Sequence, residues 1–184
     1  MSLKSILAKP YAKLISTKFY KESNNAVKVQ QKIFNKLITQ AKHTAFGKDH
    51  NFENIKTYQN FKEQVPIRDY EDLKPYVERV VAGEKDILWK GKPLYFAKTS
   101  GTTSGTKYIP LTKASMPTHI TAARNALLHY IAETKKSNFL QGRMIFLQGS
   151  PEMGEKNGIK TGRLSGISAH YVPKYLQKNR LPSW

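Results

Sequence analysis

Residues 99–112, with the sequence TSGTTSGTKYIPLT, combine residue types that suit the binding of phosphate groups. Gly101 and Gly105 permit positive φ and a close approach of the backbone to a ligand. Successive backbone N–H groups in such a turn form an anion-binding concavity, and short hydroxyl side chains add donors. Lys107 adds a mobile positive charge and is the candidate catalytic residue. The candidate phosphate-binding residues are Thr99, Ser100, Gly101, Thr102, Thr103, Ser104 and Gly105.

The spacing excludes two familiar nucleotide-binding loops. A Walker A loop has four residues between its glycines, then Gly-Lys-Ser/Thr and a helix. Here three residues separate Gly101 from Gly105, Thr106 precedes Lys107, and Tyr108 stands where the magnesium-binding hydroxyl is needed. The G-x-G-x-x-G pattern of dinucleotide-binding folds is also absent. Apolar flanks favour a strand–loop–strand phosphate clamp, although Ser/Thr/Gly-rich composition alone is typical of a flexible connection.

The elements that must position this loop are a pair of strands. Residues 94–98 and 107–111 have the aromatic and β-branched composition of strands, and Pro110 indicates an edge strand or a strand end. Upstream, apolar residues at three- and four-residue spacings predict a helix over 26–42. Residues 43–52 are expected to form a loop. A short helix is expected at 57–64, ended by the Val65-Pro66 pair.

Further helices and strands complete an α/β pattern. Residues 68–83 predict a helix ended by Gly83, with Pro75 leaving open whether the helix begins before it or at it. Residues 113–134 predict a long helix, and the apolar run at 143–149 predicts a buried strand. The glycine-rich residues after position 149 show no clear element. The fold class expected is α/β, with helices packed on a small mixed sheet.

The chain is strongly basic and its charge is uneven. The net charge is +18 over 184 residues; residues 1–48 contain ten lysines and one acid, whereas residues 49–86 contain nine acids and six bases. Such a balance suits polyanionic partners, namely nucleic acid, anionic lipid or nucleotide phosphates. No apolar run approaches the roughly 18–20 residues of a membrane span. Cysteine is absent, which fits a reducing compartment, so we expect a cytoplasmic location.

The lysine-rich segment 1–21 is moderately amphipathic. It could lie on a membrane surface, but it lacks the features of a secretory signal. Pro10 interrupts it, and we favour a pair of packing helices, since amphipathic helices usually face a core.

Other polar residues give weaker signals. Arg124, about three turns into the helix after the loop, is a candidate contact for a substrate carboxylate, although an arginine there is more often simply exposed. The five histidines show no metal-ligand spacing, so no metal site is expected from protein side chains. No recognised nucleic-acid module accompanies the aromatic residues near lysines, and we expect neither a nucleic-acid nor a membrane partner.

With these residues in view, TSGTTSGTKYIPLT resembles the phosphate loop of the adenylate-forming superfamily, which includes acyl-CoA synthetases, adenylation domains and luciferase. Its spelling is closer to one branch, the GH3 auxin-responsive family of acyl acid amido synthetases and its bacterial relatives. Residues 25–52 and the segment VPIRDYEDLKPYVERVVAGEKDILWKGKP resemble that branch too. The resemblance covers residues 25–112 well and the rest more loosely. We expect a bacterial-type member.

The resemblance implies a ligase reaction. A carboxylic acid attacks the α-phosphate of ATP to give an acyl-adenylate and pyrophosphate, and an amino acid then takes the acyl group and releases AMP. Residues 100–105 would hold the β- and γ-phosphates, Lys107 would counter the charge that builds on pyrophosphate, and Mg²⁺ would bridge phosphate oxygens. Alternatives are coenzyme A as the acceptor, or a basic module that binds nucleic acid or an anionic surface.

The resemblance also implies a domain organisation. Residues 1–184 are expected to be an N-terminal fragment of the large domain of such an enzyme, with 1–92 mainly helical and 93–184 α/β and carrying the loop. Family members are several hundred residues long, and the later motifs that hold adenine and ribose have no counterpart here. We therefore expect this fragment to be inactive by itself.

Overall fold

The computed structural model describes residues 3–99, 105–172, 177 and 179–181, and the chain divides into two compact units. The first unit takes its described residues from Met1–Ala26, Ala114–Pro151 and Leu164–Trp184. The second takes them from Val27–Lys113 and Glu152–Arg163. The residues expected to bind phosphate fall in the second unit, so that unit positions the candidate site.

Two long helices form the core of the first unit. Helix α1 spans Leu3–Ser23 and helix α6 spans Met116–Thr134. They pack around Ala12, which is fully buried, and around Leu128 and Ile131. The predicted interruption at Pro10 is wrong, because Pro10 lies inside a continuous helix. No helix in the described ranges combines the length and apolar character needed to cross a membrane.

Shorter elements complete the first unit. They are a 3₁₀ helix at Asn138–Gln141, strand β3 at Met144–Ile145, helix α7 at Leu164–Ala169 and strand β6 at Arg180–Leu181. Strands β3 and β6 pair in parallel. The strand predicted at 143–149 is confirmed only at Met144–Ile145, and its predicted burial is wrong, since the side chains of Ile145 and Leu147 are 73% and 97% exposed. An apolar run indicates that a segment is able to be buried, but it does not show whether another element packs against that segment.

Helices make up the first part of the second unit. Helix α2 spans Ala26–Ala41 and helix α4 spans Tyr58–Gln64, which confirms both predicted helices. The loop predicted between them is wrong, because helix α3 forms at Ala45–Asp49 and a 3₁₀ helix at Phe52–Asn54. Helix α3 is fixed at its start by Thr44, whose hydroxyl accepts a hydrogen bond from the Gly47 N–H at 3.0 Å.

Helix α5 spans Tyr70–Val81 and has well-defined ends. Its N-cap is Asp69, whose carboxylate accepts a hydrogen bond from the Asp72 N–H at 3.0 Å. The helix therefore begins at Tyr70 and runs through Pro75, so the alternative start at Pro75 is wrong. At its other end the Gly83 and Glu84 N–H groups return to carbonyls of the last turn, in a Schellman arrangement that confirms Gly83 as the terminating residue.

A four-stranded mixed sheet carries the candidate loop. Its strands are β1 (Tyr95–Lys98), β2 (Tyr108–Leu111), β4 (Gly154–Lys156) and β5 (Ile159–Gly162), in the order β2-β1-β5-β4. Strands β1 and β5 are parallel, and the two outer pairs are antiparallel. Strand β2 lies at the edge, which confirms the position expected from Pro110. The small mixed sheet with helices confirms the α/β class.

One face of this sheet packs on helix α5. Phe96 of β1 is fully buried and clusters with Val80 of α5, with Ile87 and with Ile159 of β5. Burying a side chain of this size stabilises a fold by roughly 1.5–3 kcal/mol. This cluster fixes the base of the β1–β2 hairpin, from whose far end the candidate loop extends.

Candidate functional site

The candidate phosphate loop joins the two strands of an antiparallel hairpin. Lys98 of β1 is directly opposite Tyr108 of β2, and one step further the Thr99 N–H donates a hydrogen bond to the Lys107 carbonyl at 3.2 Å. The predicted strand–loop–strand arrangement is thus confirmed. Thr99 and Lys107 face each other where the loop leaves the sheet. Ser100, Gly101, Thr102, Thr103 and Ser104 lie outside the described residues.

Gly105 has the left-handed backbone conformation that the sequence predicts for a glycine of this loop. Its φ is +75°, and a Cβ built there would meet nothing within 4 Å. The requirement for glycine therefore comes from backbone conformation rather than from space. It turns the chain two residues before Lys107.

Lys107 is half-buried, and its ammonium group lies over an aromatic ring. The Nζ atom is 4.9 Å from the ring centroid of Tyr70, the first residue of helix α5. This is a cation–π distance. None of the salt bridges within the described residues involves Lys107. The ammonium charge is therefore oriented by a ring and not neutralised by a carboxylate, which leaves it available for an anion.

The same tyrosine also holds the backbone of strand β2. The Tyr70 hydroxyl oxygen accepts a hydrogen bond from the Tyr108 N–H at 3.0 Å. Because β2 is an edge strand, this N–H is donated to a side chain and not to a neighbouring strand. The ring of Tyr108 in turn packs edge-on against Phe96, with centroids 5.6 Å apart. The position of Lys107 thus depends on a helix residue, Tyr70, that precedes Tyr108 by 38 positions in sequence.

Helix α5 is itself fixed to its surroundings along its length. Tyr76 donates a hydrogen bond from its hydroxyl to Asp49 at 2.7 Å, and burial followed by this hydrogen bond raises the pKa of Tyr76 above its ordinary value, against an opposing effect of Arg68. Near the end of the helix, the Asn157 side-chain amide donates to the Val81 carbonyl at 2.6 Å. The helix is therefore a fixed support for both ends of the sheet.

Arg124 belongs to the other compact unit. It is an exposed residue of helix α6, in the first unit. Its guanidinium is 5.8 Å from the ring centroid of Tyr11, and two of its nitrogens donate to the side chain of Asn125 at 3.2 and 3.1 Å. Its role toward a carboxylate stays a prediction.

The described residues contain no group of three or more His, Cys, Asp or Glu side chains arranged to hold a metal ion. Two residues of the site went unrecognised in the sequence. Tyr70 was assigned to a helix but to no role, because nothing in a single sequence links it to Lys107. Lys98 is a second lysine next to the loop, and its Nζ lies beside Gly154 of strand β4, 3.7 Å from where a Cβ would stand. The sequence signal that identifies Lys98 as a site residue is its position immediately before Thr99.

Comparison with known proteins places this geometry in a family context. The sequence matches the GH3 family N-terminal domain over residues 15–181. It is 31% identical over 90 residues to the indole-3-acetic acid-amido synthetase GH3.2 of Arabidopsis thaliana, a match that covers 48% of this chain and 16% of the relative. It is 43% identical over 125 residues to the probable indole-3-acetic acid-amido synthetase GH3.13 of Oryza sativa subsp. japonica, covering 64% of this chain and 25% of that one.

A solved structure shares the fold. The acyl acid amido synthetase AtGH3.15, in complex with 2,4-DB, superposes with a TM-score of 0.76 at 20% identity. The superposition covers 88% of this chain and 28% of the solved chain. This chain thus spans between 16% and 28% of the length of these three relatives.

Proposed function

The chain belongs to the GH3 family, and on that premise we propose that it forms part of an ATP-dependent acyl acid amido synthetase. The reaction joins a carboxylic acid to an amino acid in two steps. The acid first attacks the α-phosphate of ATP, which releases pyrophosphate, and the amine then attacks the acyl carbon, which releases AMP. The relatives named above are amido synthetases, which supports an amide product over a thioester.

In this proposal the β1–β2 hairpin binds the phosphates that leave. Residues 100–105 hold the β- and γ-phosphates, and Lys107 offsets the negative charge that builds on pyrophosphate as the bond to the α-phosphate breaks. The observation that carries the assignment is the ammonium group of Lys107, half-buried, oriented by Tyr70 and in no salt bridge within the described residues. The left-handed Gly105 supports it, since such a turn directs backbone N–H groups toward an anion.

The remaining components of the reaction are proposed by class. Mg²⁺ accompanies ATP and takes its ligands chiefly from phosphate oxygens, because hard oxygen ligands suit it. The acid belongs to the class of small organic carboxylic acids, and Arg124 is a candidate contact for its carboxylate. We further propose a cytoplasmic location, which agrees with the absence of cysteine.

The phosphate role is tested by binding to the 184-residue chain. Pyrophosphate and Mg·ATP are titrated at fixed ionic strength and followed by NMR, which detects weak complexes. Lys107→Ala should weaken pyrophosphate binding about tenfold or more, as expected for loss of a charge-assisted contact. The matched control is Lys160→Ala, which removes the same charge from an exposed position of strand β5 in the same sheet. Equal losses in the two variants would show that only net charge matters.

The reaction is tested by ATP–pyrophosphate exchange in the longest protein that carries these residues, with a panel of carboxylic acids. Acid-dependent exchange that falls in Lys107→Ala and persists in Lys160→Ala supports the proposal. Amino acid and coenzyme A are then compared as acceptors. An absence of acid-dependent exchange with the whole panel contradicts a ligase function. Arg124→Ala is expected to raise KM for the acid more than KM for ATP.

A further inference from the structure

One side chain makes two separate contacts with the residues that end the candidate loop. The ring of Tyr70 lies 4.9 Å from the Lys107 ammonium, and its hydroxyl oxygen is 3.0 Å from the Tyr108 backbone nitrogen. These contacts act on adjacent residues, the first on a side chain and the second on the main chain. The direction of the lysine side chain and the position of its backbone are thus fixed by a single residue.

The ring contact differs from an ion pair in its consequence. A carboxylate at this place would hold the ammonium but also neutralise it, and a phosphate would then have to compete for it. The face of an aromatic ring attracts a cation by about 0.5–2 kcal/mol and carries no net charge. Lys107 is therefore held in one direction with its full positive charge retained.

Tyr70 is in a position to act in this way because it is itself fixed. It is the first residue of helix α5, whose start is defined by the Asp69 cap. Further along, the helix is packed through Val80 into the cluster that contains Phe96. A side chain at this point moves with the helix and the sheet rather than with the loop.

We propose that Tyr70 is a positioning residue that holds Lys107 and the end of strand β2 ready for the pyrophosphate portion of ATP. This inference rests on the proposed function, since pyrophosphate is the anion that Lys107 meets there. Tyr70 acts through Lys107 and is not itself assigned a contact with the reacting atoms.

The first test separates the two contacts by substitution. Tyr70→Phe keeps the ring and removes the hydroxyl, whereas Tyr70→Leu removes both. We expect pyrophosphate binding to weaken about fivefold in Tyr70→Leu, which corresponds to about 1 kcal/mol, and by a smaller factor in Tyr70→Phe. The control is Tyr76→Phe, which removes a tyrosine hydroxyl hydrogen bond from the same helix and should leave the affinity within twofold. Equal affinity in every Tyr70 variant overturns the inference.

A second test asks whether Tyr70 acts through the lysine. In the Lys107→Ala background, Tyr70→Leu should have no further effect on pyrophosphate affinity. A role in stability alone predicts instead that the two losses multiply. Losses of affinity that multiply in this way, which means that the two free-energy changes add, would overturn the inference. Unfolding midpoints are measured for each variant, and Tyr70→Phe keeps the test available if Tyr70→Leu folds poorly.

A third measurement needs no ligand. A ring at this distance shifts the Lys107 Hε resonances upfield, and the shift should disappear in Tyr70→Leu and persist in Tyr70→Phe and Tyr76→Phe. A wild-type chain without the shift overturns the positioning inference even if pyrophosphate binds. A chain that shows the shift but binds no pyrophosphate refutes the phosphate role of the loop and the inference that rests on it. The two failures are therefore distinguishable.

Discussion

The sheet of the second unit ends in two hairpins whose connections have different designs. In the first, which we call the loop hairpin, strands β1 and β2 are joined by residues 99–107, and the last of these is Lys107. In the second, the turn hairpin, strands β4 and β5 are joined by two residues, Asn157 and Gly158. The strands of both are short and antiparallel, and the two hairpins are joined through the parallel pair β1–β5.

The two hairpins are anchored to opposite ends of helix α5, one hairpin to each end. The turn hairpin reaches its end, where the Asn157 amide donates to the Val81 carbonyl. The loop hairpin reaches its start, where Tyr70 contacts Lys107 and Tyr108. The tight turn connects its strands with two residues, whereas the long connection, in the proposed function, provides backbone N–H groups and a positive charge for a ligand. The same helix thus serves stability at one end and, in the proposed function, binding at the other.

The largest effect is expected from a substitution that removes the core packing that the two hairpins share. Phe96→Ala deletes a fully buried ring between α5, β1 and β5, and should lower the free energy of unfolding by about 3–5 kcal/mol. Hydrogen exchange of the β1 and β5 amides measures this loss. The exchange rates should rise in both hairpins together. Ile109→Ala is the control, because that β2 side chain is 42% exposed and should cost well under half as much. Faster exchange in one hairpin alone would contradict a shared base.

A pair of glycine substitutions distinguishes the two connections. Gly158 has φ +77° and Gly105 has φ +75°, and a Cβ would meet nothing within 4 Å at either. An alanine at either position strains the backbone, by about 1–2 kcal/mol where the turn is unable to relax. Gly158→Ala should show this cost in urea unfolding, since a two-residue turn has little freedom to relax, and should leave pyrophosphate affinity unchanged. Gly105→Ala should cost less stability and weaken pyrophosphate binding.

The opposite pattern, with Gly105→Ala the more destabilising and Gly158→Ala the weaker binder, would show that the long loop supports the fold rather than a ligand.

The loop hairpin was largely predictable from the sequence, and the turn hairpin was overlooked. Aromatic and β-branched residues on both sides of a Ser/Thr/Gly run indicate two strands, and Pro110 indicated the edge. The Asn157-Gly158 pair is also a strong hairpin signal, because both residues tolerate the positive φ of a type I′ turn. It was missed because strand β4, with the sequence GEK, has no apolar alternation to mark it.

The contacts that complete the site were not predictable in the same way. Tyr70 and Tyr108 are 38 positions apart, and the ring that holds Lys107 comes from a helix whose own pattern reports only which face is buried. A single sequence contains local propensities and periodicities, but no record of which side chains meet across the fold. The apolar run at 143–149 failed for the related reason that its pattern does not say what packs against it.

A smaller effect is expected where the turn hairpin meets the helix. Asn157→Asp keeps a residue that tolerates positive φ but removes the amide that donates to the Val81 carbonyl. The loss should lower the free energy of unfolding by about 1 kcal/mol. Thermal unfolding measures it, and pyrophosphate affinity should not change. A loss of affinity comparable to that of Tyr70→Leu would mean that the two ends of helix α5 are not independent.

The smallest effect is expected from a rise in pH, which tests the contact that Tyr76 makes in the middle of helix α5. Burial and the hydrogen bond to Asp49 raise the pKa of Tyr76, so the folded chain holds the phenolic proton more tightly than the unfolded chain. The stabilisation is therefore complete below the unfolded pKa of about 10 and is lost as pH rises through the folded pKa. Urea unfolding from pH 9 to 11 should show this decline, and Tyr76→Phe should show less of it. Within the described part of the chain, the hydrogen bond and ring contacts of Tyr76 go to Asp49, Phe46 and His50 and not to either hairpin connection. The decline should therefore affect both hairpins equally, whereas exchange that rises first beside Lys107 would place the sensitive contact at Tyr70.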